Sequence, residues 1–65
     1  MDELLTVEEV AAYLRVDRST VYRLLRRGEI SCLRVGSNYR VACGTLAQWL
    51  KDQEARTARE THANG

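Results

Sequence analysis

Two helix-start signals, separated by one short break, decide what this chain can become. Thr6-Val7-Glu8-Glu9 has the form of a capping box, in which the Thr6 hydroxyl accepts from the Glu9 amide while Glu9 reaches back. Leu5 and Val10 stand where a hydrophobic staple belongs, and Val7, Val10, Ala11 and Leu14 recur at i, i+3, i+4, i+7. That spacing predicts a short helix over Val7–Leu14 with one apolar face. Arg15-Val16-Asp17 then breaks the pattern. Asp17 is a good N-cap, Val16 with Val21 makes a second staple, and Val21, Leu24 and Leu25 supply a new apolar stripe. Gly28 follows the last turn, the usual place for a left-handed residue. Two short helices joined by about three residues are a helix-turn-helix pattern.

The second helix carries the charge of the molecule. Residues 1–14 hold four acids and no base, residues 15–40 hold seven arginines against Asp17 and Glu29, and residues 41–65 hold three of each sign. The blocks are therefore −4, +5 and 0, and the whole-chain charge of +1 conceals them. With Val21 taken as inward and 100° per residue, Ser19 and Arg23 point straight out. Tyr22, Arg26 and Arg27 lie beside them, and Arg18 and Thr20 sit at the exposed first turn. Arginine gives bidentate bonds to phosphate or guanine, and Ser, Thr and Tyr hydroxyls reach phosphates or bases. Like charges at Arg23 and Arg27, four apart, repel by a few tenths of a kcal/mol, roughly. Phosphates over this face would relieve that repulsion.

A second basic element follows. Ile30, Leu33 and Val35 precede Gly36-Ser37-Asn38, and Tyr39 and Val41 come after, which reads as a β-hairpin. With a loop over Gly36–Asn38, Val35 faces Tyr39 and Leu33 faces Val41 on the core side, and Arg34 faces Arg40 outside. Ser37 and Asn38 would then stand at the tip. The last element holds Leu46, Trp49 and Leu50 at helical spacing, with its start near Cys43 or at a Thr45/Gln48 capping box and with Trp49 as the main core anchor. Beyond Lys51 no apolar face remains. The stretch 52–65 is expected to extend the helix by a turn or two, aided by Asp52 with Arg56, or to form a flexible tail. The expected fold class is mainly α with a small β-hairpin, a winged helix-turn-helix of order α-α-β-β-α over residues 1–51.

Other chemistry is not encoded. Two cysteines, Cys32 and Cys43, and one histidine, His62, are too few for a structural zinc site, so no metal or cofactor is expected. The cysteines read as small packing residues, Tyr13 as the rim of the core, and His62 as part of the frayed tail. No paired carboxylates, Ser/His/Asp set or glycine-rich phosphate loop is present, so an enzyme is not expected. Without a signal peptide or an apolar run of spanning length, a cytoplasmic protein in a bacterial host, with no membrane contact, is the expectation.

Three stretches together, TVEEVAAYL, STVYRLLRRGEI and RVG..YRV...L..WL, make Leu4 to Leu50, about three-quarters of the chain, resemble the excisionase (Xis) family. These are small winged-helix DNA-binding proteins related to the MerR-type helix-turn-helix. The resemblance implies a recognition helix starting at Arg18, a wing at Gly36–Arg40 and a C-terminal helix closing the core. Together with the outward faces read above, the residues expected on DNA are Arg18, Ser19, Thr20, Tyr22, Arg23, Arg26, Arg27, Arg34, Ser37, Asn38 and Arg40. Ser31 stands where the family often has proline, and Ser37 where the wing often has arginine. VACGTL replaces the charged, well-capped start usual before the last helix.

The function this implies is that of a recombination directionality factor, which binds and bends attachment-site DNA and assists a tyrosine or serine integrase in excision. A small transcriptional regulator with the same fold is the alternative, and a protein-interaction module meeting an acidic partner is a second. No heptad runs through the chain, so monomers in solution are expected, assembling side by side on DNA. The acidic first helix of one copy would then face basic residues of the next.

Overall fold

The computed structural model describes the backbone of residues 3–64 and the side chains of residues 3–58; the backbone of 52–64, His62 included, continues the last helix, and the His62 side chain lies outside the described ones. The elements in chain order are β1 (Leu4–Thr6), α1 (Val7–Leu14), α2 (Arg18–Arg26), β2 (Leu33–Val35), β3 (Asn38–Ala42) and α3 (Cys43–Asn64). The architecture is mainly helical with a small antiparallel sheet, as a winged helix-turn-helix requires.

α1 forms where its caps place it. Thr6 Oγ1 accepts from the Glu9 amide at 3.1 Å, and the Thr6 amide donates to Glu9 Oε1 at 2.8 Å. Both helices of the pair end in the same way. Val16 N–H reaches back to the Ala11 carbonyl at 3.0 Å and Arg15 N–H to Ala12 at 3.3 Å; Glu29 N–H reaches Leu24 at 3.0 Å and Gly28 N–H reaches Leu25 at 3.1 Å. These are Schellman closures, and each needs a left-handed residue. Gly28 takes it freely at φ 74°, whereas Arg15 is held at φ 59° with a side chain that disfavours it.

The sheet has order β1-β3-β2 and is antiparallel throughout. β1 was not expected from the sequence. Leu4, Leu5 and Thr6 pair with Ala42, Val41 and Arg40, and the Cys43 amide donates to the Glu3 carbonyl at 2.9 Å. A three-residue strand has no periodicity of its own to announce it, and its partner lies far along the chain.

The register of the hairpin differs from the expectation. The loop is the two-residue Gly36-Ser37, not Gly36–Asn38, so Leu33 pairs with Arg40, Arg34 with Tyr39 and Val35 with Asn38. Gly36 has φ 63° and Ser37 has no positive φ, the type II′ pattern that suits strand twist. Removing one residue from the loop shifts the pairing by one and moves side chains to the other face. Arg34 therefore shares a face with Tyr39, and Arg34 and Arg40 are not opposite each other. Leu33 and Val35, expected in the core, are about half exposed at 53% and 52%.

The core is aliphatic and small: Val7, Val10, Ala11, Val21, Leu25, Ile30, Val41 and Leu46. It joins α1 and α2 to the middle strand and the start of α3. Leu5, Leu14, Leu24, Tyr39, Trp49 and Leu50 pack around it, partly buried. Leu46, not Trp49, holds the fully buried place on α3. The Trp49 ring lies at the margin, although its Nε1 is buried without a hydrogen-bond partner. Cys32 is exposed where packing was expected, and Tyr13, expected at the rim of the core, is 67% exposed. α3 begins directly at Cys43 as β3 ends, and Gln48 Nε2 donates to Asp52 Oδ1 at 3.3 Å on its outer side. No helix among the described residues is long and apolar enough to cross a membrane.

Arg15→Gly is expected to stabilise the domain. Glycine removes the left-handed penalty of about 1 kcal/mol, which corresponds to a rise of roughly 4–8 °C in melting midpoint for a domain of this size. A midpoint that stays or falls would show that the Arg15 side chain contributes more than its backbone costs.

Candidate nucleic-acid interface

α2 is anchored at its N-terminus by one carboxylate. Asp17 Oδ1 accepts from the Thr20 amide at 3.1 Å and from the Thr20 hydroxyl at 2.6 Å. Arg23 Nη2 in turn donates to Thr20 Oγ1 at 3.4 Å. Thr20 is thus drawn into the cap and half buried, with its oxygen shared between Asp17 and Arg23. Arg18 and Ser19 of the same turn remain exposed, as does Asp17 itself. The hydrogen bond from the Thr20 hydroxyl, then that from the Thr20 amide and that from Ser19, hold the Asp17 carboxyl below its usual value of 3.8.

The arginines of α2 divide into two groups. Arg18 Nη1 lies 3.4 Å from Glu8 Oε2, and Arg27 Nη1 lies 3.6 Å from Glu29 Oε2. These end arginines carry exposed counter-ions from their own chain. Sequence reading missed the first pair because Glu8 is ten residues from Arg18 and on another helix. Glu8 is held below its ordinary value chiefly by a backbone hydrogen bond, then by Arg18, with Arg40 adding at longer range. Between the two pairs, Arg23 and Arg26 are exposed and have no ion pair among the described residues. Ser19, Tyr22, Arg23 and Arg26 make one outward surface, since Val21 and Leu25 point into the core. This free charge lies at the middle and last turn of α2.

The wing stands beside that surface. Ser37 and Asn38 are exposed at its tip. Arg34 places its Cζ 5.3 Å from the centroid of the Tyr39 ring. Tyr39 in turn meets Tyr22 of α2 edge-on, with centroids 6.0 Å apart and planes at 67°. Tyr22, expected to offer its hydroxyl outward, is only 37% exposed because of this contact. Arg40 is on the other face of β3, half buried, with Nη1 donating to the Tyr39 carbonyl at 2.9 Å. The structure therefore brings Tyr22, Arg34 and Tyr39 together beside Ser19, Arg23 and Arg26, holds Thr20 in the cap against Arg23, and sets Arg40 on the other face of β3. Tyr39 is expected on the core side of the hairpin; its contact with Tyr22 has no local sequence signal, because Tyr22 lies on a different element. Among the described residues there is no cluster of three potential metal ligands.

An outward basic face on the second helix of a helix-turn-helix, with a wing beside it, defines a class of DNA-binding protein. The family model for a helix-turn-helix domain matches residues 4–54, and the chain belongs to that family. It is 39% identical to an excisionase of Streptomyces ambofaciens over 51 residues, 78% of this chain and 82% of that one. It is 56% identical over 39 residues to proteins of two Mycobacterium tuberculosis strains, H37Rv and CDC 1551 / Oshkosh, whose names carry a provisional DNA-binding assignment. That match covers 60% of this chain and half the length of each mycobacterial relative. No solved structure matches the chain. The chain is accordingly a helix-turn-helix protein of an excisionase-like kind.

Because Asp17 titrates below its ordinary value when folded, its contribution to stability is complete above that value. It is lost as pH falls through the depressed folded value. The melting midpoint should drop as pH is lowered below about 3.8, and Asp17→Asn, which keeps a capping oxygen without the titration, should flatten that dependence. Superimposable pH profiles for the two proteins would remove Asp17 from the account.

Proposed function

We propose that the protein is an excisionase that lays α2 in the major groove of double-stranded DNA, with the wing against the adjacent minor groove or backbone. The observation that carries this is the exposed Ser19, Tyr22, Arg23 and Arg26 surface, in which the two arginines are left without carboxylate partners among the described residues. A helix-turn-helix reads bases from this surface, N-terminal end first. Arg18 and Arg27 exchange an exposed carboxylate for phosphate at little cost, since exposed pairs are worth about 0–1 kcal/mol. Arg34, Ser37 and Asn38 serve the wing. Arg40 and Thr20 keep a place in the interface only as supports, Arg40 through its half-buried charge near Glu8 and Thr20 through the cap.

The action that follows is architectural. The chain binds and bends attachment-site DNA and assists a tyrosine or serine integrase, without chemistry of its own. One module of this size covers about 600–1,000 Å² of its own surface, so useful occupancy needs neighbouring copies on the DNA. Attraction between the acidic α1 of one copy and the basic face of the next has less to draw on than the sequence suggests: Glu8 already faces Arg18, and Glu9 closes its own capping box. Assembly of otherwise monomeric chains then rests on DNA holding them close. A small transcriptional regulator would use the same surface; an excision reaction with integrase, run with and without this protein, separates the two.

About five arginines reaching phosphates give a log–log salt slope of roughly −4 to −5. Arg23→Ala should weaken specific binding by about 1–3 kcal/mol and relax preference at one base position. Arg40→Ala should weaken all sequences about equally. Filter-binding or anisotropy titrations at several salt concentrations read all three. A slope near zero would favour an acidic protein partner, and an altered base preference for Arg40→Ala alone would invert the assignment of helix and wing.

A further inference from the structure

The outer strand of the wing is exposed along its whole length. Leu33, Arg34 and Val35 of β2 are all exposed, and the turn beyond them is Gly36-Ser37. Backbone hydrogen bonds tie β2 to β3, but they do not fix how the pair leans against α2. Val41 of β3 shares the core with Val21 and Leu25 of α2, and at the rim of that core Tyr39 adds a contact to the helix surface. Tyr39 packs partly against the core, meets the Tyr22 ring of α2 at a steep angle, and carries the Arg34 guanidinium near its own ring. Arg34 and Tyr39 are direct cross-strand partners, so the stack is built into the register of the hairpin.

The geometry points to Tyr39 as the positioning residue that fixes the wing relative to the recognition helix and holds Arg34 ready for a phosphate beside the major-groove contact. This rests on the DNA-binding reading above. The ring does two things. Its edge-on contact with Tyr22 sets the separation of wing and helix, because aromatic pairs prefer such offset geometries. Its face holds the cation of Arg34, a residue whose long side chain would otherwise sample many rotamers before reaching the backbone. The tyrosine ring is the required feature and the hydroxyl is not. Helix and wing contacts are then made together, and losing the ring uncouples them.

The test compares wild type with Tyr39→Phe, Tyr39→Leu and Arg34→Ala on one duplex, reading the salt slope of binding and the hydroxyl-radical footprint. Tyr39→Phe should match wild type. Tyr39→Leu should lose the wing part of the footprint and about one unit of slope, the value of one phosphate contact, while protection by α2 persists. Adding Arg34→Ala to Tyr39→Leu should then lower the slope no further, although Arg34→Ala alone does so in wild type. Tyr22→Leu, at a partly exposed helix position, removes the other half of the contact and gives the same loss if Tyr39→Leu fails to fold. Tyr39→Leu or Tyr22→Leu with a wild-type slope and full wing footprint overturns the role of Tyr39 and leaves DNA binding intact. A wild-type protein that leaves no footprint overturns the DNA-binding reading itself, and the role of Tyr39 with it.

Discussion

Everything the molecule presents to a partner depends on the turn between its first two helices. α1 must stop and α2 must start within Arg15, Val16 and Asp17. The stop is a Schellman closure that forces Arg15 into a left-handed backbone, and the start is the Asp17 carboxylate gripping the Thr20 amide and hydroxyl. These two devices fix the direction in which α2 leaves α1. Once that direction is set, Val21 and Leu25 fall into the core, and Arg23 and Arg26 are aimed at solvent with no further adjustment. The local electrostatics follow from the same turn, since it brings Glu8 of α1 against Arg18 of α2.

A core made of eight aliphatic side chains cannot hold three helices by itself with much to spare. The sheet supplies the remainder. Its middle strand carries Val41 into the centre, and β1 pairs with it directly before the α1 cap, so the start of the helix pair is tied to the wing and to α3. The wing is therefore not an appendage. Its inner strand is part of the core, its outer strand is exposed, and Tyr39 stands where the two conditions meet.

The helix-turn-helix was legible in the sequence because its signals are local. Thr6, Glu9, Asp17 and Gly28 act through neighbours within a few residues, and the structure places α1 and α2 at the boundaries they mark. Features set by distant partners were not legible. β1 exists only because β3 is there to pair with it. The hairpin register depended on whether Asn38 belongs to the loop or to the strand, and alternating hydrophobicity favoured the wrong choice by sending Leu33 and Val35 inward. Trp49 was expected at the centre for its size, yet the smaller Leu46 reaches deeper. In the candidate interface, the exposed arginines followed from helical periodicity. The Glu8–Arg18 pair, the capture of Thr20 by the cap and the Arg34–Tyr39–Tyr22 stack did not, because each joins residues whose proximity or orientation only the folded chain decides.

On the proposed function, DNA meets the outward face of α2 and the wing next to it. Backbone amide shifts of labelled protein, followed by NMR as a duplex is added, test it most directly. The largest changes are expected on Arg18 to Arg27 and on Arg34 to Asn38, with α3 and the outer face of α1 nearly unaffected. Changes centred on α3, or on the Leu5, Tyr13 and Ala47 side of the molecule, would contradict it.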